Sequence, residues 1–171
     1  ASARRGLSKR SVARKLTSAR SFFSFLHLEE RIPSNPGRTI RAPKLERRLP
    51  GHLTRSDVDA VFEFAERAAE RNTLAGTRTL AVMELLYGSG LRLSELHGLD
   101  SGDIDRATKH MRVMGKGSKE RIVPLTDAAL RAVERYELRR REVAQPDEVA
   151  LLVNPRGHRL SRRSIQSTVR T

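Results

Sequence analysis

The side chains best suited to chemistry fall in two short stretches, GSGLRLSEL (88–96) and MGKGSKER (114–121). Both set cations beside glycines: Arg92 in the first, and Lys116, Lys119 and Arg121 in the second. A guanidinium can grip two oxygens of a phosphate at once, and a lysine ammonium can hold an anion or give up a proton to one. The chemistry open to such groups is the binding of a phosphate ester and, with a donor in reach, its cleavage.

Each stretch has a plainer reading. A nucleotide loop of the G-x-x-x-x-G-K-[ST] type is excluded for GKGSK: Lys116 is followed by Gly117, the position five before Gly115 is His110, and the next segment has strand character rather than helix. The remaining alternatives are a solvated hairpin, whose glycines permit positive φ and whose lysines protect an edge, and a β arm that carries Lys116 outward while Lys119 and Arg121 face backbone phosphates. For Arg92 the alternatives are an anion site near a helix start and an Arg92–Glu95 surface pair at spacing three, worth only about 0.2–0.5 kcal/mol.

The elements that must position these groups follow from periodicity. From Ser8 to about Arg31, Val12, Leu16, Ala19, Phe22, Phe23 and Leu26 recur at steps of three and four, predicting an amphipathic helix whose apolar stripe has the look of core. Pro33, Pro36, Pro43 and Pro50 then break any helix and predict an extended cationic linker. Thr54 and Asp57 open a second helix, and a third runs from about Thr73 to the glycines at 88 and 90. A short helix begins near Leu93 and ends before Gly102. Residues 110–114 and 120–125 read as a hairpin around GKGSK, Thr126 and Asp127 start another helix, ALLVN (150–154) is a candidate third strand, and Ser161 caps a helix predicted to reach Thr171 without a stop signal. The expected fold class is α+β, mainly helical, with a small antiparallel sheet.

Charge narrows the partners. The 34 Lys and Arg against 20 Asp and Glu give +14, distributed as +10 over residues 1–50, −3 over 51–100 and +7 over 101–171. Two basic segments flank a weakly acidic one, a distribution that attracts polyanions, nucleic acid first among them. A disordered basic tail would give the same total, but the apolar periodicity of residues 8–31 argues against it. The absence of cysteine excludes disulfides and thiolate metal sites. No apolar run approaches the roughly 18 residues of a membrane span, so the expectation is a soluble, cytoplasmic protein with no membrane partner. Asp103 and Asp105 sit in a turn where aspartate is locally favoured, which leaves a two-metal reading with little to stand on.

Taken together, GSGLRLSEL, the turn LDSGDID, a strand, GKGSKER and IVPL, in that order and spacing, resemble the catalytic domain of the tyrosine recombinases, or phage-type integrases, and most of all their bacterial Xer branch. The upstream stretch SARSFFSFLHLEERIPSNPGRTIRAPKLERRLPGHLT is similar to the last helix of that family's core-binding domain and the linker after it. The resemblance implies the end of a helical core-binding domain (1–32), a basic Pro-rich linker (33–53) and the front part of a mixed catalytic domain (54–171). It also implies a clamp around double-stranded DNA, with Arg41 and Lys44 of the linker beside the backbone, and self-association or a paralogous recombinase on that DNA.

In the family the first catalytic arginine binds the scissile phosphate, and Arg92 occupies its place. Lys116 matches the hairpin lysine that protonates the departing 5′ oxygen. Neither metal nor nucleotide is implied, because the protein's own cations stabilise the charge and a 3′-phosphotyrosyl bond conserves the energy of the cleaved linkage. The family also requires a H-x-x-R motif, a further His or Trp, and a tyrosine nucleophile, all downstream of the third strand. This chain contains none of them there. Tyr87 and Tyr136 precede that region and read as packing residues, and His52 with Arg55, although spaced as H-x-x-R, lies upstream of Arg92. The expectation is therefore a fragment that binds DNA without cutting it, or else a noncatalytic DNA-binding protein derived from an integrase.

Overall fold

The computed structural model describes residues 6–44, 53–115, 117 and 119–169, and the chain divides into two compact units, Ala1–His52 and Leu53–Thr171. In the first unit, α1 (Lys9–Leu28) begins where Ser8 Oγ accepts the Ser11 amide at 3.2 Å. Its apolar stripe does not become core. No residue of α1 is buried, and Phe22 and Phe25 are 57% and 58% exposed. Among the described residues of this unit, the element that packs on α1 is the single turn Pro36–Arg38, too short to cover twenty residues of helix. Arg20 draws that turn in: its Nε donates to the Gly37 carbonyl at 3.0 Å and its guanidinium also reaches the Ile40 carbonyl. The segment expected to be extended thus starts as a capped turn, with Asn35 Oδ1 accepting the Gly37 amide at 2.9 Å. Arg41 and Lys44 follow, both exposed, and residues 45–52 lie outside the described residues.

The second unit carries the hairpin. Its first helix, α2 (Arg55–Glu70), opens with a reciprocal cap in which Thr54 Oγ1 accepts the Asp57 amide at 3.2 Å and Asp57 Oδ2 accepts the Thr54 amide at 2.8 Å. The Thr54 hydroxyl, which donates to Asp57 Oδ2 at 2.7 Å, and then the Thr54 amide hold the Asp57 carboxyl below its ordinary pKa. Helix α3 (Leu74–Met83) starts from Thr73 and crosses α2 so closely that a Cβ on Gly76 would stand 2.0 Å from the Ala68 carbonyl oxygen. It continues as a widened π turn, Glu84–Gly88, and the chain reverses at Gly90, whose φ is +63°. Next come α4 (Leu93–Gly98) and a 3-10 turn, Ser101–Asp103.

The sheet has three antiparallel strands in the order β1 (Ile104–Asp105), β2 (His110–Met114), β3 (Glu120–Pro124). Ile104, Met111, Val113 and Val123 face inward, and His110, Arg112, Met114 and Ile122 face out, as period-two alternation requires. Helix α5 (Asp127–Arg140) buries Ala129, Ala132, Val133 and Tyr136 in the same apolar cluster as Ala81, Val82 and Leu85 from α3 and the π turn. The last helix, α6 (Arg162–Thr168), is capped by Ser161.

Two expectations are corrected. The third strand is β1, in the stretch read as a turn, whereas residues 150–154 form only isolated bridges from Ala150 to Asp100 and from Val153 to Arg159. Ala150, Leu151, Leu152 and Val153 are all buried, so the segment is apolar for burial and not for alternation. Its backbone is satisfied one group at a time: the Leu151 amide donates to the Leu99 carbonyl and the Val153 amide to the Tyr136 hydroxyl, both at 2.9 Å. Helix α6 does not run through the end of the chain; it stops at Thr168, Val169 forms its cap, and residues 170 and 171 lie outside the described residues. Among the described residues no helix is long and apolar enough to cross a membrane.

The crossing of α2 and α3 gives a direct check. Gly76→Ala is expected to lower unfolding stability by about 3 kcal/mol, because the obstacle is backbone and cannot rotate away. Gly102→Ala, where a Cβ meets nothing within 4 Å, should stay within about 0.5 kcal/mol in the same urea titration.

Candidate functional site

Arg92 is the residue from which α4 departs. It holds the N-cap position with extended φ and ψ of −75° and 152°, set there by the glycine turn that ends the preceding helix. Its backbone amide donates to Glu95 Oε2 at 2.8 Å and its guanidinium donates to Glu95 Oε1 at 3.0 Å. This is not a surface pair: the Glu95 side chain is 3% exposed, the Arg92 side chain 74%. A second arginine reaches the same carboxylate from the sheet. Arg121 on β3 donates to Oε1 at 2.5 Å and to Oε2 at 2.9 Å.

Each oxygen of Glu95 therefore accepts two hydrogen bonds, which uses the capacity of an ionised carboxylate. Burial alone would raise its pKa. The Arg121 hydrogen bonds outweigh that burial and, with the Arg92 amide and guanidinium, hold the Glu95 carboxyl down to about 2. Reciprocally, the bond to Glu95 raises the pKa of Arg121.

Arg92 and Glu95 form part of the wall of a cleft of about 800 Å³, together with Asp103, Arg112, Gly115 and Arg162. Of the other carboxylates in this wall, Glu120 is exposed, and Asp100 and Asp103 have partners of their own. Asp100 is held by Arg159 at 2.5 Å, and Asp103 accepts the Asp100 amide at 2.9 Å and the Arg112 guanidinium at 3.4 Å. Asp105 accepts the Ala107 and Thr108 amides at 3.0 and 3.2 Å, so the aspartate pair is spent on turn and ion-pair geometry. Among the described residues, no group of three or more His, Asp and Glu side chains could hold a metal ion.

The hairpin reaches this cleft at its base. The Gly115 amide donates to the Lys119 carbonyl at 2.8 Å, and Gly117 turns the loop with φ of +76°. Lys116 lies outside the described residues; its neighbour Gly115 lines the cleft. Lys119 is exposed, whereas Arg121, read from sequence as free for phosphates, has its guanidinium on Glu95. Arg41 and Lys44 belong to the other unit. Sequence reasoning missed Glu95 as the centre of the site, as well as Arg112 and Arg162 in the cleft wall. Glu95 could have been found, since it precedes Leu96 on the buried side of a short helix and shares the R-x-x-E cap spacing with Arg92.

The two tyrosines are placed differently. Tyr136 is fully buried, its hydroxyl accepts the Val153 amide, and burial pushes its phenol pKa up. Tyr87 is 64% exposed and meets Phe62 edge-on at 5.4 Å between ring centres. Neither is among the residues that line the cleft.

With this geometry in view, comparison with known proteins gives a consistent picture. Residues 52–171 match the model of the phage integrase family. The tyrosine recombinase XerC of Actinobacillus pleuropneumoniae serotype 7 (strain AP76) is 42% identical over 163 residues, which make up 95% of this chain and 51% of that protein. The chain spans about half the length of the curated relatives it matches. Among solved structures, the crystal structure of XerA recombinase superposes with a TM-score of 0.59 at 22% identity, covering 90% of this chain and 58% of that one. The Tn1549 transposon integrase in complex with circular intermediate DNA gives 0.62 at 20% identity, covering 92% and 55%. At these identities the structural likeness is one of fold, a mainly helical catalytic domain with a small antiparallel sheet.

Glu95 sets an acid limit that can be measured. Above its ordinary pKa of 4.5 its stabilising contribution is fully present. As pH falls from there toward 2, the unfolded chain takes up a proton that the folded chain refuses, so the contribution is lost through that window. Glu95→Gln is expected to cost about 2 kcal/mol or more at pH 7, because Arg121 loses its counter-ion, and to flatten the fall in stability below pH 4.5. Urea midpoints measured at pH 7 and pH 3 for both proteins report the difference.

Proposed function

Because the chain belongs to the phage integrase family, we propose that it is part of a site-specific tyrosine recombinase that cuts and rejoins duplex DNA in the cytoplasm through a 3′-phosphotyrosyl intermediate. The observation that carries this reading is the Arg92 guanidinium, fixed at one nitrogen by a buried carboxylate yet 74% exposed on a cleft wall. The circular intermediate DNA bound by the Tn1549 integrase, a protein of the same fold, supports the choice of polyanion.

Attack by a hydroxyl on a phosphodiester concentrates negative charge on the nonbridging oxygens. An arginine held in position beforehand stabilises that charge without reorganising, so it favours the transition state over the ground state. Arg92 has this role in our reading. The 5′ alkoxide that leaves is strongly basic, and Lys116, next to the cleft-lining Gly115, protonates it. Lys119 holds a neighbouring backbone phosphate. The nucleophile is neither Tyr136, whose hydroxyl is buried and bonded, nor Tyr87, which is turned to Phe62; a longer polypeptide supplies it.

In the same reading, residues 1–32 close a core-binding domain and 33–53 connect it to the catalytic domain, with Arg41 and Lys44 along the phosphate backbone. A second copy or a paralogous recombinase completes the complex on DNA. The positions of the two tyrosines also favour a second reading, a noncatalytic DNA-binding protein that keeps the cleft.

The two readings separate at the coding frame beyond Thr171. The recombinase reading expects a continuation with H-x-x-R and a tyrosine. That longer protein should trap a covalent adduct on a nicked suicide duplex, with adduct formation slowed about 10²–10³-fold in Arg92→Ala and in Lys116→Ala while duplex binding persists. A stop codon directly after Thr171, or an adduct formed at an undiminished rate by Arg92→Ala, contradicts it.

A further inference from the structure

Arg121 occupies a position that a phosphate-binding residue would not be expected to hold. On β3 it pairs with Val113 across the sheet and has the same parity as Val123, so it belongs to the inward row while Ile122, 73% exposed, faces out. Its side chain is 39% exposed, and both of its terminal nitrogens are on Glu95. It also passes beneath the start of the hairpin loop, where a Cβ on Gly115 would stand 3.7 Å from its guanidinium.

The consequence is one of charge balance. Glu95 carries one negative charge and touches two guanidinium groups. If Arg92 were its only partner, the pair would be neutral and Arg92 would be a poor ligand for an anion. With Arg121 bound to both oxygens, the group of three has net charge +1, and the exposed member of it is Arg92. Glu95 then anchors Arg92 through the backbone amide and one guanidinium nitrogen without cancelling its charge. The other carboxylates of the cleft wall with resolved ion pairs, Asp100 and Asp103, follow the same pattern on Arg159 and Arg112.

We infer that Arg121 is a positioning residue and not a phosphate contact: it neutralises Glu95 so that Arg92 stays fixed in place with its charge available to an anion. This rests on the reading of Arg92 as the phosphate ligand and deepens it, assigning the hairpin strand a second task besides carrying Lys116.

A charge cycle on the 171-residue chain tests the inference, with inorganic phosphate as the probe and the Arg92 Nε–Hε resonance as the reporter. Arg121→Met is expected to weaken phosphate binding at Arg92 about fivefold or more, since Glu95 then cancels Arg92. Arg121→Lys, which keeps the charge but not the two-pronged grip, should fall between. The decisive variant is E95Q/R121M, which removes both charges but leaves an amide oxygen that can still accept the Arg92 backbone amide, and it should return the affinity to within about twofold of the unaltered chain. A purely structural role for Arg121 would not be rescued in this way. If the double variant binds as weakly as Arg121→Met, Arg121 contacts the anion itself and the inference is overturned; unchanged affinity in Arg121→Met overturns it as well. Should Arg121→Met fail to fold, E95Q/R121M alone decides, supporting the inference within twofold and contradicting it beyond fivefold. An Arg92 resonance in the unaltered chain that phosphate does not move defeats the phosphate reading, and this inference with it.

Discussion

Four hydrogen bonds converge on one buried carboxylate, and through them the start of α4 is tied to β3. A lone ionised glutamate with 3% of its side chain exposed would be costly to bury; surrounded by two guanidinium groups and an amide it is held ionised. The requirement is mutual. Glu95 fixes where Arg92 presents its guanidinium, and Arg121, at its register of β3, balances the charge of the carboxylate that does so. The pairing of Val113 with Arg121 is thus as much a part of the cleft as Arg92 itself.

The other end of α4 is secured in a similar way. Arg159 donates to the His97 carbonyl at 2.8 Å and pairs with Asp100, which ties the loop after the buried 150–153 segment to the end of the helix. A six-residue helix has little stability of its own. Here it is placed by Glu95 at its beginning, Arg159 at its end, and Leu96 and Leu99 beneath it in the core. Below that level stands the α3 and α5 packing, in which Tyr136 contributes its ring to the core and its hydroxyl to the Val153 amide. A substitution in this lower layer acts on the cleft through α4, and its effect would appear as lost stability before any change in chemistry.

Much of this was legible in residue patterns, because caps and alternation are local. Thr54 with Asp57, Thr73, Thr126 and Ser161 each mark a helix start that the structure places within a residue. The hairpin followed from alternation on both sides of GKGSK. Burial over longer distances was harder to read. The stripe of α1 has core spacing but, among the described residues, no core against it, and the apolar run at 150–153 enters the core with its Leu151 and Val153 amides on the Leu99 carbonyl and the Tyr136 hydroxyl rather than in a ladder. In the site, Arg92 stood out by its neighbours, whereas Arg121 was read by its charge when its parity with Val123 and Leu125 already turned it inward. Glu95 escaped because its second partner lies 26 residues away.

The central claim is that the cleft receives a phosphate at Arg92 while Glu95 remains on Arg121. A structure of the chain bound to a short duplex tests it most directly. The expected result is a backbone phosphate within hydrogen-bond distance of the Arg92 guanidinium, with both Arg121 nitrogens still on the Glu95 carboxylate. A duplex seated on another face of the second unit, or a phosphate held by Arg121 after it has left Glu95, would contradict the claim.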